Sequence, residues 1–282
     1  MSILSGLESL GLGGLENVNI YGAEKEKKDN VNSEEKNEKA AINEEEYLLQ
    51  KTFECPVCDA EFKQSIIRHN KIRNYGHDLD LRPRNEGVDT LKYDVVVCNN
   101  CGYASMAKFH GPLPKPHRKL LQENIMSRFK PMQMGNGVIT YEEAVMRYKL
   151  AMMNAVVRQA KDSEKAFIAL KLSWIYRGMR ETLPADTEDY EDTKEMLMAQ
   201  ERENQKIALE GFSKAMTTET PPYAGLNDDT LDYLLAVLNM EAGEYARSKR
   251  ILSGILSSTK ATKVQRSQAE EVLEELKQRM KS

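Results

Sequence analysis

Phe53-Glu54-Cys55-Pro56-Val57-Cys58 and Val97-Cys98-Asn99-Asn100-Cys101-Gly102 decide the reading of this chain. They hold two Cys-x-x-Cys pairs separated by 39 residues, and no cysteine occurs in the 181 residues after Cys101. Two-residue spacing lets both thiolates of a pair reach one tetrahedral ion while nearby backbone N–H groups turn toward the sulfurs, and Gly102 supplies the permissive backbone that such a turn prefers. Cys55, Cys58, Cys98 and Cys101 are therefore expected to hold one ion, Zn2+, in a structural role. Four thiolates close the shell and leave no position for a substrate. The separation exceeds the roughly 15–20 residues of simple ribbons, but loops between such turns tolerate insertion. The same ligands would bind iron and serve electron transfer. A single pair could also act as a thiol redox couple, although the βαβ setting that such a motif normally opens is absent.

Outward from the cysteines, residues 50–110 read as a small β-type, zinc-ribbon-like module, with Tyr93, Val95 and Val97 alternating against Asp94 and Val96. Within it, Lys63, Arg68, Lys71, Arg73, Arg82 and Arg84 stand against Asp78 and Asp80, a local excess of +4. Arg68, Lys71, Arg73, Arg82 and Arg84 are candidate contacts for nucleic-acid phosphates, and the competing reading is a solvated loop whose charges pair with the acidic tail or linker. His110 and His117 read as ordinary surface histidines, because four cysteines already satisfy an ion. Residues 111–117, rich in proline, read as a stiff joint and domain boundary.

Residues 118–282 are helical in pattern. Thr140 with Glu143 marks one helix start and Asn227 or Asp228 another. Ala144, Tyr148 and Ala151 repeat a small-large-small spacing found again at Ala208, Phe212 and Ala215, which lets one helix approach the preceding one closely. Residues 229–262 fit one tetratricopeptide-like unit, with Ala236, Gly243, Tyr245 and Ser248 at its small and turn positions. An acidic insertion, Asp186 to Glu195, separates the Trp174 helix from the Phe212 helix. The expectation is an all-α solenoid of about three hairpins with a last helix over Lys263 to Met280. Trp174 and Tyr176 read as core.

Residues 1–49 read as a disordered tail and charged linker: from Tyr21 to Glu46 there are nine acidic and five lysine side chains and almost no large apolar group. Ile3, Leu4, Leu7, Leu10, Leu12 and Leu15 could dock on a partner or on the chain's own helices. The start lacks a basic n-region and reads as neither signal peptide nor anchor. With 40% hydrophobic and 30% charged residues, a net charge of −4 and no apolar run long enough for a membrane helix, the composition suits a cytoplasmic protein and gives no global pull toward polyanions or membranes. No phosphate-binding G-x-x-x-x-G-K-[ST], zinc-protease H-E-x-x-H or G-x-S-x-G motif occurs, and no catalytic residue is nominated.

The two cysteine stretches, continued by Tyr103-Ala104, Ser127-Arg128-Phe129-Lys130-Pro131, Tyr148-Lys149-Leu150-Ala151 and Leu172-Ser173-Trp174-Ile175-Tyr176-Arg177, resemble an uncharacterised bacterial family, a domain of unknown function. That family joins a cysteine ribbon to tetratricopeptide-like helices, and the likeness covers about residues 50 to 282. Asp59 departs from it, standing where such turns commonly have glycine. The resemblance implies a bacterial cytoplasmic protein with a bound metal and a peptide-binding type of scaffold, and no activity. The leading expectation is a non-enzymatic interaction module whose helices bind a protein or peptide. The alternatives are phosphate binding through residues 63–84 and iron-based electron transfer. If the modules are separate, replacing Cys58 and Cys101 with serine disorders residues 50–110 and spares the helical far-UV signal.

Overall fold

The computed structural model describes residues 7–12 and 43–281. Two hairpins carry the cysteines. Strands β1 (Leu48–Glu54) and β2 (Glu61–Ile67) pair antiparallel with Phe53 opposite Phe62, and the first Cys-x-x-Cys forms the turn between them. Strands β5 (Val95–Val97) and β6 (Ala104–Met106) pair with Val97 opposite Ala104 around the second. Between these hairpins lies a third, β3 (Asn74–His77) with β4 (Pro83–Asn85). All three residues of β5 are buried, so both faces of this strand are covered and the expected in-out alternation is lost.

Seven α-helices follow among the described residues: α1 (Lys115–Leu121), α2 (Tyr141–Val157), α3 (Asp162–Glu181), α4 (Tyr190–Thr218), α5 (Asp228–Glu241), α6 (Tyr245–Ser257) and α7 (Lys263–Arg279). The proline segment is not wholly a joint. Helix α1 starts inside it at Lys115, with Pro116 in the first turn, where the missing N–H costs no intrahelical bond. The acidic insertion likewise ends early, because α4 takes up the chain from Tyr190. Helix starts follow their caps. Thr140 accepts from the Glu143 N–H at 3.2 Å, but the Glu143 carboxylate turns to the Gly135 N–H at 2.6 Å, so the box is half formed. Asn227, not Asp228, caps α5, accepting from the Thr230 N–H at 2.9 Å. Ala144, Tyr148, Ala151, Ala208, Phe212 and Ala215 are all buried, as their spacing requires.

Among the described residues, the cysteine segment and the helices share apolar packing. One apolar core runs from Cys55, Val57 and Val95 through Tyr148, Leu170 and Trp174 to Leu238. Polar bonds cross it as well. The Tyr148 hydroxyl donates to the Leu91 carbonyl at 3.0 Å, the Asn154 amide donates to the Gly102 carbonyl at 3.0 Å, and the buried Arg147 guanidinium donates to the Val95 carbonyl. The segments expected as domains, 50–110 and 118–282, both contribute to this interior. Part of the expected tail belongs to it too. Leu7, Leu10 and Leu12 are fully buried, and the Lys130 N–H donates to the Leu10 carbonyl at 3.0 Å. Gly11, at φ +79°, lies so close to the Arg128 carbonyl that a Cβ would collide with it. Residues 43–49 are also placed, with Glu44 accepting from Lys92 at 2.8 Å. Ile3, Leu4, Leu15 and the remainder of the charged linker lie outside the described residues.

A second tie is ionic. The tip between β3 and β4, Asp78-Leu79-Asp80-Leu81-Arg82, reaches onto the helices. Leu79 and Leu81 pack on a second apolar cluster formed by Tyr233, Val237, Leu252 and Val272. Asp80 accepts from the Trp174 indole at 2.9 Å and from Arg177 at 2.6 Å, and Arg177 also reaches Asp78 at 2.8 Å and Glu201 at 2.6 Å. Glu181 accepts from Arg82 and from Arg84, each at 2.8 Å. Burial works against the ionised forms of Asp78 and Glu181. Arg84 and Arg177 nevertheless hold Asp78 below the usual carboxylate range, and Arg84 and Arg82 do the same for Glu181. A carboxyl depressed on folding stabilises the fold above its unfolded pKa, and that stabilisation is lost as pH falls through the folded value. Thermal melts should therefore show the midpoint falling as pH drops below about 4. The Asp78→Asn/Glu181→Gln variant should melt lower at neutral pH and show a shallower acid dependence; an unchanged acid slope would remove this network from the stability of the fold.

Candidate metal centre

Both cysteine turns are built alike. In the first, the Cys55 N–H donates to the Ala60 carbonyl at 3.0 Å and the Asp59 N–H to the Cys55 carbonyl at 2.9 Å. In the second, the Cys98 N–H donates to the Tyr103 carbonyl at 2.8 Å and the Gly102 N–H to the Cys98 carbonyl at 2.9 Å. The residue after the second cysteine is left-handed in each, Asp59 at φ +59° and Gly102 at φ +74°. Aspartate is one of the few side chains that visit this region routinely, which explains how the first turn forms without glycine. Arg118 of α1 also pairs with the Asp59 carboxylate and donates to the Val57 carbonyl at 3.0 Å. Gln122 donates to the same carbonyl at 3.1 Å. At Gly102 a second constraint acts: the Phe129 ring lies where a Cβ would be.

These turns bring the four sulfurs within 4.8 Å of one another. Cys55 and Cys101 lie 3.5 Å apart and Cys58 and Cys98 3.7 Å, far beyond the roughly 2.05 Å of a disulfide. A tetrahedral ion with metal–sulfur bonds of about 2.3 Å places its sulfurs about 3.8 Å apart, so the residues fit the group. Donors also face the sulfurs: the Val57 N–H lies 3.4 Å from Cys55 Sγ and the Asn100 amide 3.5 Å from Cys58 Sγ. Cys55, Cys98 and Cys101 are buried and Cys58 half-buried. In such a cluster the thiols cannot ionise independently. Contacts with Cys101 and Cys55 push Cys98 down, whereas contacts with Cys55 and Cys98, together with burial, push Cys101 far up. One thiolate is thus favoured at its neighbours' expense, and a cation is what would let all four ionise together.

The histidines take no part. His110 Nε2 lies 3.1 Å from the Glu54 carbonyl, and its ring packs on Phe53 and Tyr103; His117 is half-buried on α1, outside the sulfur cluster. The basic segment is dispersed. Arg82 and Arg84 are spent in the ionic tie to Glu181 and Asp78, so they do not stand free for phosphate. Arg68 donates to the Leu48 carbonyl at 2.6 Å, Arg73 lies 4.0 Å from Glu86, and Lys71 is exposed. Sequence reading missed the partners of this segment, Trp174, Arg177 and Glu181, and Glu201, which pairs with Arg177 behind it. Trp174, Arg177 and Glu181 do fall at helical spacing on one face of α3, a signal that pointed only to packing.

The fold and the sulfur cluster define a helical protein whose small paired strands carry a four-cysteine site able to hold a metal ion. The chain belongs to the family described as "Uncharacterized protein conserved in bacteria (DUF2225)", whose model matches residues 48–280. No curated protein and no solved structure matches it.

The geometry sets apart two turn substitutions. Gly102→Ala meets Phe129 in a left-handed backbone and should speed metal loss to a chelator by at least tenfold, whereas Asp59→Asn, which tolerates that backbone, should change it little. Equal release rates from both variants would show that the turns do not set the site.

Proposed function

We propose that this chain is a non-enzymatic, zinc-binding scaffold of the bacterial cytoplasm whose helical hairpins present a surface to a protein or peptide partner. The observation that carries the reading is the sulfur cluster. Four cysteine sulfurs within 4.8 Å of one another can complete a coordination shell, so an ion there would hold the fold and offer no open position for water or substrate. Two hairpins meeting through their Cys-x-x-Cys turns support a zinc-ribbon-like identity. The α5–α6 hairpin supports the tetratricopeptide-like one, with Ala236 and Ser248 buried and Gly243 at φ +79° in its turn. Reduced thiols of this kind persist in the cytoplasm. No described helix is long and apolar enough to cross a membrane.

The partner surface we favour is a cleft of about 480 Å³ where the β3–β4 tip meets α3, α4, α5 and α7. Leu79 and Leu81 already cover apolar surface beside it, so what faces the cleft is mainly charged, including Glu201, Glu241, Glu271 and Arg279, with Tyr233. A polar, charged segment suits it better than an apolar helix. Phosphate binding through residues 63–84 loses support because Arg82 and Arg84 are paired internally.

Metal analysis of protein purified without added metal should give about one zinc per chain and a colourless solution. A red protein with iron–thiolate absorbance would replace this reading with electron transfer. For the partner, capture from bacterial lysate after nuclease treatment, at low and high salt, should retain a protein that Tyr233→Ala/Glu271→Arg loses. Nucleic acid as the sole captured species would overturn the scaffold assignment.

A further inference from the structure

From Tyr245 to Ala269 the chain has six basic residues and no acidic one, in a protein whose net charge is −4. Five of them are exposed on α6 and through the turn into α7. Helix α6 turns Ser248 and Leu252 fully inward, with Ile251 and Ile255 half-buried beside them. Its outer face holds Arg247, Lys249 and Arg250, all exposed, and Lys260 and Lys263 continue the basic run, also exposed, through the turn into α7. Among the described residues none of these five side chains forms an ion pair, in contrast to the arginines of the β3–β4 hairpin. The rest of the outer face is small: Ala246, Ser253, Gly254 and Ser257 are exposed, and no atom lies within 4 Å of a Cβ built on Gly254. At about 1.5 Å per residue, the 13 residues of α6 span about 20 Å.

We infer that this face of α6, extended by the α6–α7 turn, binds the phosphate backbone of a nucleic acid without reading its sequence. The inference is independent of the cleft and the partner proposed above. Three unpaired cations on α6 and two more through the turn into α7 match a ligand with repeated negative charges, and the small residues between them let a phosphate backbone approach closely. An anionic membrane fits less well, because an interfacial helix buries several large apolar groups, whereas the outer face of α6 has none and Val264, beside Lys263, stands alone. An acidic protein partner fits less well for a related reason, since interface cores favour aromatic anchors and are depleted in lysine. With no exposed aromatic side chain on α6 to stack on bases, contact is confined to the backbone.

The test titrates the metal-loaded full chain against a fluorescein-labelled DNA duplex by fluorescence anisotropy at several salt concentrations. Five phosphate contacts give a log–log salt slope of about −4.5, so affinity should fall by about 500-fold between about 50 and 200 mM salt. R247Q/K249Q/R250Q removes three contacts and should flatten the slope to about −2. K63Q/K71Q/R73Q removes the same net charge from the other basic segment and should leave affinity and slope unchanged. Far-UV circular dichroism on both variants excludes loss of fold. Absence of binding at low salt, equal effects of the two triple variants, or tighter binding to phosphatidylglycerol vesicles or to polyglutamate than to the duplex would each overturn the assignment.

Discussion

Four sulfurs within 4.8 Å of one another are the constraint on which this structure depends. Buried thiols so close cannot all ionise unless a cation sits among them, and once it does, the two hairpin turns are locked together across a sequence gap of 39 residues. Everything attached to the turns is then fixed as well. Phe129 presses on Gly102, Arg118 and Gln122 hold Val57, and Asn154 reaches the Gly102 carbonyl from α2. The centre is therefore not a clasp on a separate module. It lies at one end of a continuous apolar core whose other end is the α5 helix.

A second device spans the distance that the centre cannot. The long insertion between the two cysteine pairs, which simple ribbons lack, becomes the β3–β4 hairpin, whose tip crosses to the helices. Its leucines pack on the second apolar cluster and its charges meet Arg177 and Glu181. Each buried charge has an opposite partner, which is what allows so many ionic groups to be placed away from water without prohibitive cost. Their net contribution to stability is smaller than their number suggests, but the geometry is specific. The network sets how the cysteine segment lies against α3 and α4.

The four-cysteine cluster was legible in the sequence because Cys-x-x-Cys spacing is local chemistry: two thiols and a turn are all it needs. Helix starts at Thr140 and Asn227 were legible for the same reason, since a cap depends on neighbours three residues away. The small-large-small spacing of Ala208, Phe212 and Ala215 also carried its packing in the local pattern. What could not be read was long-range. Nothing near Leu10 announces that its carbonyl meets Lys130, and nothing near Asp80 announces Trp174, 94 positions away. Charge counting misled for that reason: Arg82 and Arg84 look available in sequence and are consumed in space, whereas the cations of α6 stay exposed. Pro116 misled differently, because a proline that would break a helix interior is accommodated in a first turn.

The claim that metal, hairpins and helices form one cooperative unit is tested most directly by hydrogen exchange on metal-loaded and metal-stripped protein. Amides of β5 and β6 and those of α2 around Leu150 to Ala155 should lose protection together when the metal is removed. Loss confined to the two hairpins, with α2 as protected as before, would contradict the account and restore the picture of a small metal module beside an independent helical domain.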